Sequence, residues 1–430
     1  MDNAKRLEII EKQRALYGSD FENIRAVYSR HPDFCRKFWV RGRGRKIHTG
    51  FICEVIDRYA DIAAQDLNAI SVEKNKDIWE SIKHENDMLS IVEEAVKQTL
   101  ICGDGAFKIS FDSGLSQYPI VEFVPGDRTE FVMVRGRVKE VVFLKHIKEY
   151  VLRERYVRGG IIYELRDIRG KSVSFEEAKI CRIKNVYFKD DTLAAVPFYV
   201  FSSPEFSGRG KPLFASKEDI ADALDEIVSQ WMEAVRKSRT KKYIPEGLIP
   251  RDKESGAFIK KGLDFDDDFV TLGSSFVEGT EQIQTINPLL PYEGYSRAYL
   301  LYLDMLLSGV ISPSTLGIDL KKTDNATSQR EKEKITLYIR GKIVCALSKA
   351  LKSLAEKCFK VYSLVYGKET LAGNISVSFG EYAQPDFSAV VNTVATACKA
   401  GIMSKTMAVE ELYGNTLSKE EKKREVERLG

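Results

Sequence analysis

The chain has 430 residues, which is long enough for roughly two to four compact units, and 43% of them are hydrophobic. The formal net charge of +3 is small, whereas proteins that hold nucleic acid tightly carry a larger and clustered basic excess. No run of about 18 apolar residues occurs, so we expect no transmembrane helix. The seven cysteines show no CxxC spacing and no secretory signal precedes them, which indicates reduced thiols. We therefore expect the sequon at Asn325 to be unmodified.

The first half of the chain predicts helices followed by strands. Apolar residues recur at the helical period over residues 51–67 and 87–100. From residue 101 to about 201 the pattern changes to the alternation of strands, with glycine-containing turns at 135–137 and 158–160. This half is expected to form an α+β unit.

A connector rich in Ser, Gly and Pro, at residues 202–214, separates that unit from a helix. The pattern Ser216-x-x-Asp219 predicts the start of this helix, and its early acidic and late basic residues suit the helix dipole. Residues 242–288 contain prolines and short β-like alternations, and a second helix is predicted at 293–310.

The longest predicted helix runs from residue 326 to 366 and ends at Gly367, a favourable C′ residue. Its length would be about 60 Å. An apolar stripe follows it, which we interpret as the surface of a strut between subunits or layers: Ile339, Ile343, Leu347, Leu351, Leu354, Cys358 and Val361. The tail predicts a strand at 374–379 and helices at 386–400, 404–413 and 418–429, with Ser404 and Ser418 as N-caps.

No catalytic, cofactor or metal site is predicted. His31, His48, His84 and His146 lack metal-ligand spacing, and neither a GxSxG elbow nor a Walker A loop occurs. The carboxylates of Asp264–Asp268 could hold a cation, but a solvated loop or a docking surface for a basic partner explains them as well. We therefore expect a protein that is not an enzyme and needs no cofactor.

Two basic segments carry a nucleic-acid signal of low specificity. The segment CRKFWVRGRGRKIH places aromatic residues among basic ones, so it indicates either contact with nucleic acid or an exposed loop whose aromatic residues pack inward. Its basic surface consists of Arg41, Arg43, Arg45 and Lys46. Lys321 and Lys322 precede the long helix and form either a solvated tip or a contact point.

The ordered elements resemble the portal proteins of tailed bacteriophages, in the branch typical of phages of Gram-positive hosts. The resemblance is carried by DALDEIVSQWMEAVRKSRTKKYIPEGLIP, by LLSGVISPSTLGID followed by NATSQREKEKITLYIRGK, and by DFSAVVNTVATACKAGIMSKTMAVEELYG. It is strong from residue 216 to 414 and weak before residue 50.

This resemblance implies an α+β portal-type subunit with seven segments. They are an α+β wing (1–215), a first stem helix (216–241), a small α/β clip (242–290), a second stem helix (291–311), a tunnel loop region (312–325), a long wing helix (326–367) and a helical crown region (368–430). The chain is short for the family, so we expect reduced wing insertions or a reduced crown.

The resemblance also implies a function. Portal subunits form a ring, usually of twelve copies, at one capsid vertex, through which a terminase motor packages DNA that later leaves into the tail. The implied partners are further copies of the chain, the terminase large subunit, a head–tail adaptor, the major capsid and scaffolding proteins, and double-stranded DNA without sequence specificity, with no membrane. Assembly would occur in the bacterial host cytoplasm and the product would reside in the virion. A ring needs heterologous interfaces that close, and long helices with apolar stripes could supply them.

Two sets of residues take roles by this resemblance. The tunnel loop that faces DNA would comprise Lys321, Lys322, Thr323, Asp324 and Asn325. The clip would dock partners through Asp264, Asp266, Asp267 and Asp268. The alternatives are another head-completion or minor capsid protein, a DNA-processing enzyme, and a free DNA-binding module, which only the basic cluster from Arg36 to Lys46 favours.

Overall fold

The computed structural model describes residues 2–30, 46–180, 183–238, 241–245, 255, 269–272, 284–286, 288–318, 326–367, 373–380, 387–413 and 419–428. Its helices and strands confirm the predicted α+β class. The chain divides into two compact units, Met1–Gln65 with Ala69–Ser378, and Asp66–Asn68 with Phe379–Gly430. Each unit is described by itself.

The N-terminal part of the first unit is helical, as its apolar period predicts. Its helices are α1 (Asp2–Gly18), α2 (Phe21–Arg30), α3 (Phe51–Gln65), α4 (Lys76–Glu85) and α5 (Met88–Cys102). α3 packs against α5, and α1 contacts both. The recurring apolar positions face inward, since Val55 and Tyr59 of α3 and Val92 and Val96 of α5 are fully buried. Strand β1 (Leu67–Val72) pairs with strand β14 (Ile375–Phe379).

An antiparallel sheet follows the helices. Its strands are β10 (Ala195–Tyr199), β2 (Asp104–Ser110) and β3 (Ile120–Pro125), in that order. Phe107 lies opposite Phe123 on one side and Val196 on the other. The rings of Phe107 and Phe123 meet edge to face with centroids 5.1 Å apart, which adds to the burial of this layer.

The predicted connector is fixed to this sheet by a buried ion pair. The Arg209 guanidinium donates to Asp104 Oδ1 at 2.7 Å, and the Gly210 amide donates to Asp104 Oδ2 at 2.7 Å. Gly210 also approaches Gly103 so closely that a Cβ on it would lie 1.9 Å from the Gly103 carbonyl oxygen. Glycine is therefore required where the two backbones cross.

A second antiparallel sheet is a meander. Its strands are β4 (Thr129–Val134), β5 (Arg137–Ile147), β6 (Tyr150–Val157), β7 (Gly160–Asp167) and β8 (Ser172–Val173), with β9 (Val186–Tyr187) paired to β7. The predicted turn after β4 has φ of 51° at Arg135 and 73° at Gly136. Positive φ at both central positions is typical of a tight hairpin turn that suits the strand twist.

Two helices and short strands follow the connector. They are α6 (Glu218–Lys237), β11 (Lys241–Pro245), β12 (Phe269–Leu272), β13 (Gln284–Ile286) and α7 (Tyr292–Leu307). The prediction that Ser216 starts the first of these helices is wrong. Ser216 has φ of 71°, and Lys217 occupies the N-cap position without a side-chain cap hydrogen bond. An N-cap residue normally has extended backbone, which the left-handed Ser216 does not have.

The longest helix, α8 (Ala326–Tyr366), has the predicted bounds, and Gly367 follows it with φ of 64°. Of the two alternatives for its apolar stripe, a strut between subunits is wrong for these residues, and a strut between layers of one chain agrees with the structure. All seven stripe residues are buried within one chain, where α8 packs on α3, β2 and β10. The helical period identified the buried face, but it could not say that this face meets the same chain.

The second unit contains helices α9 (Phe387–Lys399), α10 (Lys405–Tyr413) and α11 (Lys419–Arg428). α10 packs against both of the others. The Met407 amide donates to Ser404 Oγ at 3.2 Å, which confirms the predicted cap, while Ser418 lies outside the described residues. Lys422 pairs with Glu410 at 3.0 Å and links α11 to α10.

Candidate functional site

The site residues suggested by sequence lie almost entirely outside the described part of the chain. This holds for Lys321, Lys322, Thr323, Asp324, Asn325, Asp264, Asp266, Asp267, Asp268, Arg41, Arg43 and Arg45. Lys46 is described and is half-buried. The candidate site is therefore defined by the elements that flank these segments: the helix pair α6–α7, the strands between them, and the start of α8.

The two helices of the pair are antiparallel. Lys217, at the start of α6, donates from Nζ to the carbonyl oxygens of Met305, Leu306 and Ser308 at the end of α7, at 2.7–2.8 Å. Near the other end, the ring of Trp231 stacks on Tyr295 with centroids 6.2 Å apart. The start of one helix thus lies beside the end of the other.

The short strands lie at the outer end of this pair, where α6 ends and α7 begins. β11 starts four residues after α6, and β13 ends six residues before α7. β11 pairs with β12 in parallel and with β13 in antiparallel register. The acidic run Asp264–Asp268 directly precedes β12 in the sequence and lies outside the described residues.

The opposite end of α6, which we call the root, is fixed by buried polar contacts. His48 Nδ1 donates to Asp225 Oδ2 at 2.6 Å, and His48 Nε2 donates to the Leu16 carbonyl oxygen at 3.0 Å. Thr49 donates to Asp225 Oδ1 from both its amide and its hydroxyl at 2.8 Å. Because both imidazole nitrogens face acceptors, both carry hydrogen and the ring is cationic.

The electrostatics of the root agree with this geometry. Burial opposes the charge on His48, but the hydrogen bond to Asp225 and the negative charge of Asp225 outweigh burial and raise the pKa of the imidazole. Tyr28 donates to Asp222 at 2.5 Å, and its burial, with the nearby Asp222 charge, raises the pKa of the phenol. The phenol therefore remains a hydrogen-bond donor.

Sequence reasoning missed this root. It assigned Asp222 and Asp225 to the helix dipole, whereas both are buried and hydrogen-bonded to residues far away in the chain. One signal was present. Both carboxylates share the apolar face of the helix with Ala221 and Leu224, and a carboxylate on a buried face needs a partner.

The segment that leads from α7 to α8 is also held firmly. Tyr59 donates to the Val310 carbonyl oxygen at 2.7 Å, and the buried Ser312 amide donates to Thr336 Oγ1 of α8 at 2.9 Å. Thr336 lies ten residues after the start of α8, which corresponds to about 15 Å of helix. The short segment 319–325, which contains both lysines, thus joins two described ends that are anchored to the first unit.

The helix pair and α8 expose large apolar side chains. α6 and α7 bury only residues near the root, at 221–229 and 303–307. The exposed apolar residues are Met232, Val235, Leu300, Leu301 and Met305 on the pair, and Ile335, Leu337 and Tyr338 on α8. Clustered exposed apolar side chains mark a surface that meets another molecule.

Among the described residues, no group of three or more His, Cys, Asp and Glu side chains could hold a metal ion. No helix in the described part of the chain is long and apolar enough to span a bilayer.

Comparisons with known proteins give structural likeness only. No protein-family model matches the chain, and no curated protein matches it. A chain from the neck of a native gene transfer agent particle, computed with C12 symmetry, aligns over 90% of this chain and 96% of its own length, at 12% identity and a TM-score of 0.46.

Two further structures give similar values. A chain from the virion of a native gene transfer agent particle aligns over 99% of this chain and 93% of its own length, at 10% identity and a TM-score of 0.44. A chain from the neck of an empty particle, computed with C6 symmetry, aligns over 88% and 98%, at 11% identity and a TM-score of 0.48. TM-scores below 0.5 at such identities carry no inference about function.

Proposed function

We propose that the chain is a portal-type subunit of a tailed-phage-like particle. Copies of it form a ring at one vertex of the capsid, and genomic DNA passes through the ring when it is packaged and when it is ejected. The ring docks the terminase motor first and the head–tail adaptor later. In this proposal the subunit assembles in the bacterial cytoplasm, stays in the virion and has no catalytic role.

One observation carries the proposal. An antiparallel helix pair is rooted in the α+β body at one end, carries a small mixed sheet at the other, and returns through an anchored segment into a 41-residue helix. The same order of stem helix, clip, stem helix, tunnel loop and long helix defines the family that the sequence resembles. A globular enzyme has no need of a two-helix extension whose outer half has no fully buried side chain among the described residues.

The exposed apolar side chains supply the ring contacts in this proposal. Leu301 and Met305 on α7 and Met232 on α6 have exposed side chains. In a ring, the face of one subunit packs on a different face of the next, so the contacts close without a dyad axis. These surfaces replace the buried α8 stripe as the candidate subunit interface.

The proposed channel contact belongs to segment 319–325. A ring would present Lys321 and Lys322 of every copy to the DNA. A lysine ammonium makes no bidentate clamp on a phosphate, so each contact breaks easily as the duplex slides. The proposed clip is the sheet of β11, β12 and β13, and the acidic residues Asp264, Asp266, Asp267 and Asp268 are its docking surface for the motor and the adaptor.

Electron microscopy of the purified chain tests the proposal. We expect closed rings with a central hole wide enough for duplex DNA. The double variant L301E/M305E should yield monomers, because the carboxylates would have to be buried between subunits. The control L115E/I168E adds the same charge at two exposed apolar positions outside the proposed interface, and it should still form rings. A parent that stays monomeric at all concentrations would favour a head-completion protein instead.

A further inference from the structure

A groove of about 1040 Å³ lies between α8 and the connector of the first unit. β10 and residues 199–213 form one wall, including Phe198 and Phe201. The other wall is one face of α8, because its lining residues Lys342, Ala346, Lys349, Ser353 and Lys357 follow one another at spacings of three or four. The small side chains at 346 and 353 leave room between the lysines.

The groove is positively charged. Lys342, Lys349 and Lys357 line it from α8, and Lys211 lines it from the connector. Among the described residues, the lining includes no Asp or Glu, and no carboxylate pairs with these four lysines. From Lys334 to Tyr366 the helix carries seven basic residues and one acidic residue, Glu356, so the positive charge continues along α8.

Within the described part of the chain, the contacts of these lysine side chains are with aromatic rings and a backbone carbonyl, and none is with a carboxylate. Lys342 Nζ lies over the Tyr338 ring, 4.6 Å from its centroid, and 5.5 Å from that of Phe201. Lys357 donates to the Ala195 carbonyl oxygen at 2.6 Å. Burial, with the nearby charges of Arg158 and Lys360, lowers the pKa of Lys357 to about 8. An ammonium group held in this setting is destabilised, and an anion in the groove would relieve it.

We propose that this groove binds an extended acidic peptide segment of a partner protein. Lys342, Lys349 and Lys357 are seven and eight residues apart, which places them about 10 and 12 Å apart along the helix. An extended chain in the polyproline II conformation rises about 3.1 Å per residue with three residues per turn, so acidic side chains at every third position share one face and lie about 9 Å apart, close to the lysine spacing. An aromatic or aliphatic side chain of the peptide packs against Phe198 and Phe201. This proposal does not depend on ring formation.

Fluorescence anisotropy on the full chain tests the groove. The probe is a labelled eight-residue peptide with Asp at positions 1, 4 and 7, Phe at position 3, and Ser elsewhere. A peptide with Asn in place of Asp is the control, and we expect at least tenfold weaker binding for it, since each charge-assisted contact is lost. Saturable binding of the acidic peptide supports the proposal, and equal affinity for both peptides, or no binding, overturns it.

Two matched variants locate the binding. K342Q/K349Q removes two charges from the groove, and K352Q/K360Q removes two from the same helix outside it. We expect about tenfold weaker binding for the first variant and a change of less than about twofold for the second. Melting temperatures equal to that of the parent show that both are folded. An equal loss in both variants would mean that general charge, and not the groove, attracts the peptide.

A labelling experiment separates the peptide from other polyanions. Acylation of Lys357, followed by mass spectrometry, should slow several-fold when the acidic peptide is bound. A short duplex of DNA at the same charge concentration should protect Lys357 less than the peptide does. Stronger protection by the duplex would overturn the peptide assignment and identify the groove as a nucleic-acid contact.

Discussion

The root and the outer half of the helix pair are stabilised in different ways. At the root, Asp222, Asp225 and Ser229 of α6 are buried and hydrogen-bonded to the N-terminal part of the chain, and Leu303, Leu306 and Leu307 of α7 are buried beside them. In the outer half, Trp231 and the α7 tyrosines stack on each other, while Met232 and Val235 are exposed.

This difference separates the part of the helix pair that is stabilised by contacts within one chain from the part that leaves apolar surface exposed. At the root, Asp225 is hydrogen-bonded to His48 and Thr49 of the same chain, so this stability belongs to the monomer. The outer half leaves apolar surface in water, which another molecule must cover before that surface contributes free energy. Changes at the root should therefore alter folding, and changes in the outer half should alter assembly.

The largest effect is expected from D225A at the root. The carboxylate is fully buried and accepts from His48 and from Thr49, so its loss leaves a buried cation and an amide without their acceptor. We expect the free energy of unfolding to fall by about 4 kcal/mol. Urea denaturation monitored by circular dichroism measures this loss.

E233Q is the matched control on the same helix. Glu233 is exposed and forms an ion pair with Lys237 one turn away, so the stability of E233Q should equal that of the parent within error. If D225A and E233Q lowered the free energy of unfolding equally, the stabilising role of the Asp225 contacts would be contradicted.

A smaller loss is expected from L303A, compared with L301A on the same helix. Leu303 is 0% exposed and Leu301 is 59% exposed. L303A should cost about 3 kcal/mol in the free energy of unfolding, because a cavity replaces the side chain. L301A should change the stability of the monomer by less than about 0.5 kcal/mol and weaken self-association, measured by sedimentation velocity. If L303A and L301A destabilised the monomer equally, the distinction between a buried and an exposed face of α7 would be contradicted.

A pH dependence is expected from His48, with a smaller effect than L303A. The folded protein raises the pKa of this imidazole above its unfolded value of about 6.5. The stabilisation is therefore complete below that value and is lost as the pH rises through the folded pKa. Melting temperatures of the parent and of H48Q between pH 6 and pH 9 measure it. The parent should lose more stability across this range than H48Q does, and identical slopes would refute the cationic root.

The smallest effect is expected from K321A/K322A, which removes two charges from the segment between α7 and α8. Folding and ring assembly should match those of the parent. Binding of duplex DNA at low ionic strength should weaken by about 1 kcal/mol or less per lysine, and the difference should vanish in high salt because exposed charges are screened. K145A/K148A, on the exposed β5 hairpin, is the control with the same loss of charge. Unchanged binding in K321A/K322A would leave the lysines only a role in solubility.

The sequence predicted local features well. α8 was predicted with its observed bounds, because a proline-free helical period over 41 residues and a following glycine are both local signals. The hairpin turns and the Ser404 cap were found for the same reason. The Ser216 pattern failed because the connector places its backbone in the left-handed region, and the packing of the connector on β2 is not a local property.

Long-range pairings could not be predicted in the same way. The partners of Asp222 and Asp225 lie 194 and 177 residues away, so no spacing connects them. The α8 stripe shows the same limit, since the period says which face is buried but not which surface covers it. The assignment of Lys321, Lys322 and Asp264–Asp268 to a channel and a docking surface stays a prediction, because those residues lie outside the described part of the chain.

The contacts of Lys217 limit which residues can replace it in the helix pair. Its ammonium group donates to three backbone carbonyls at the end of α7, one for each of its three N–H donors. Arginine keeps the positive charge, but its donors lie in one flat fork and cannot converge on three carbonyls from a single pyramidal centre. At this position, side-chain shape rather than charge decides which residue can join the two helices.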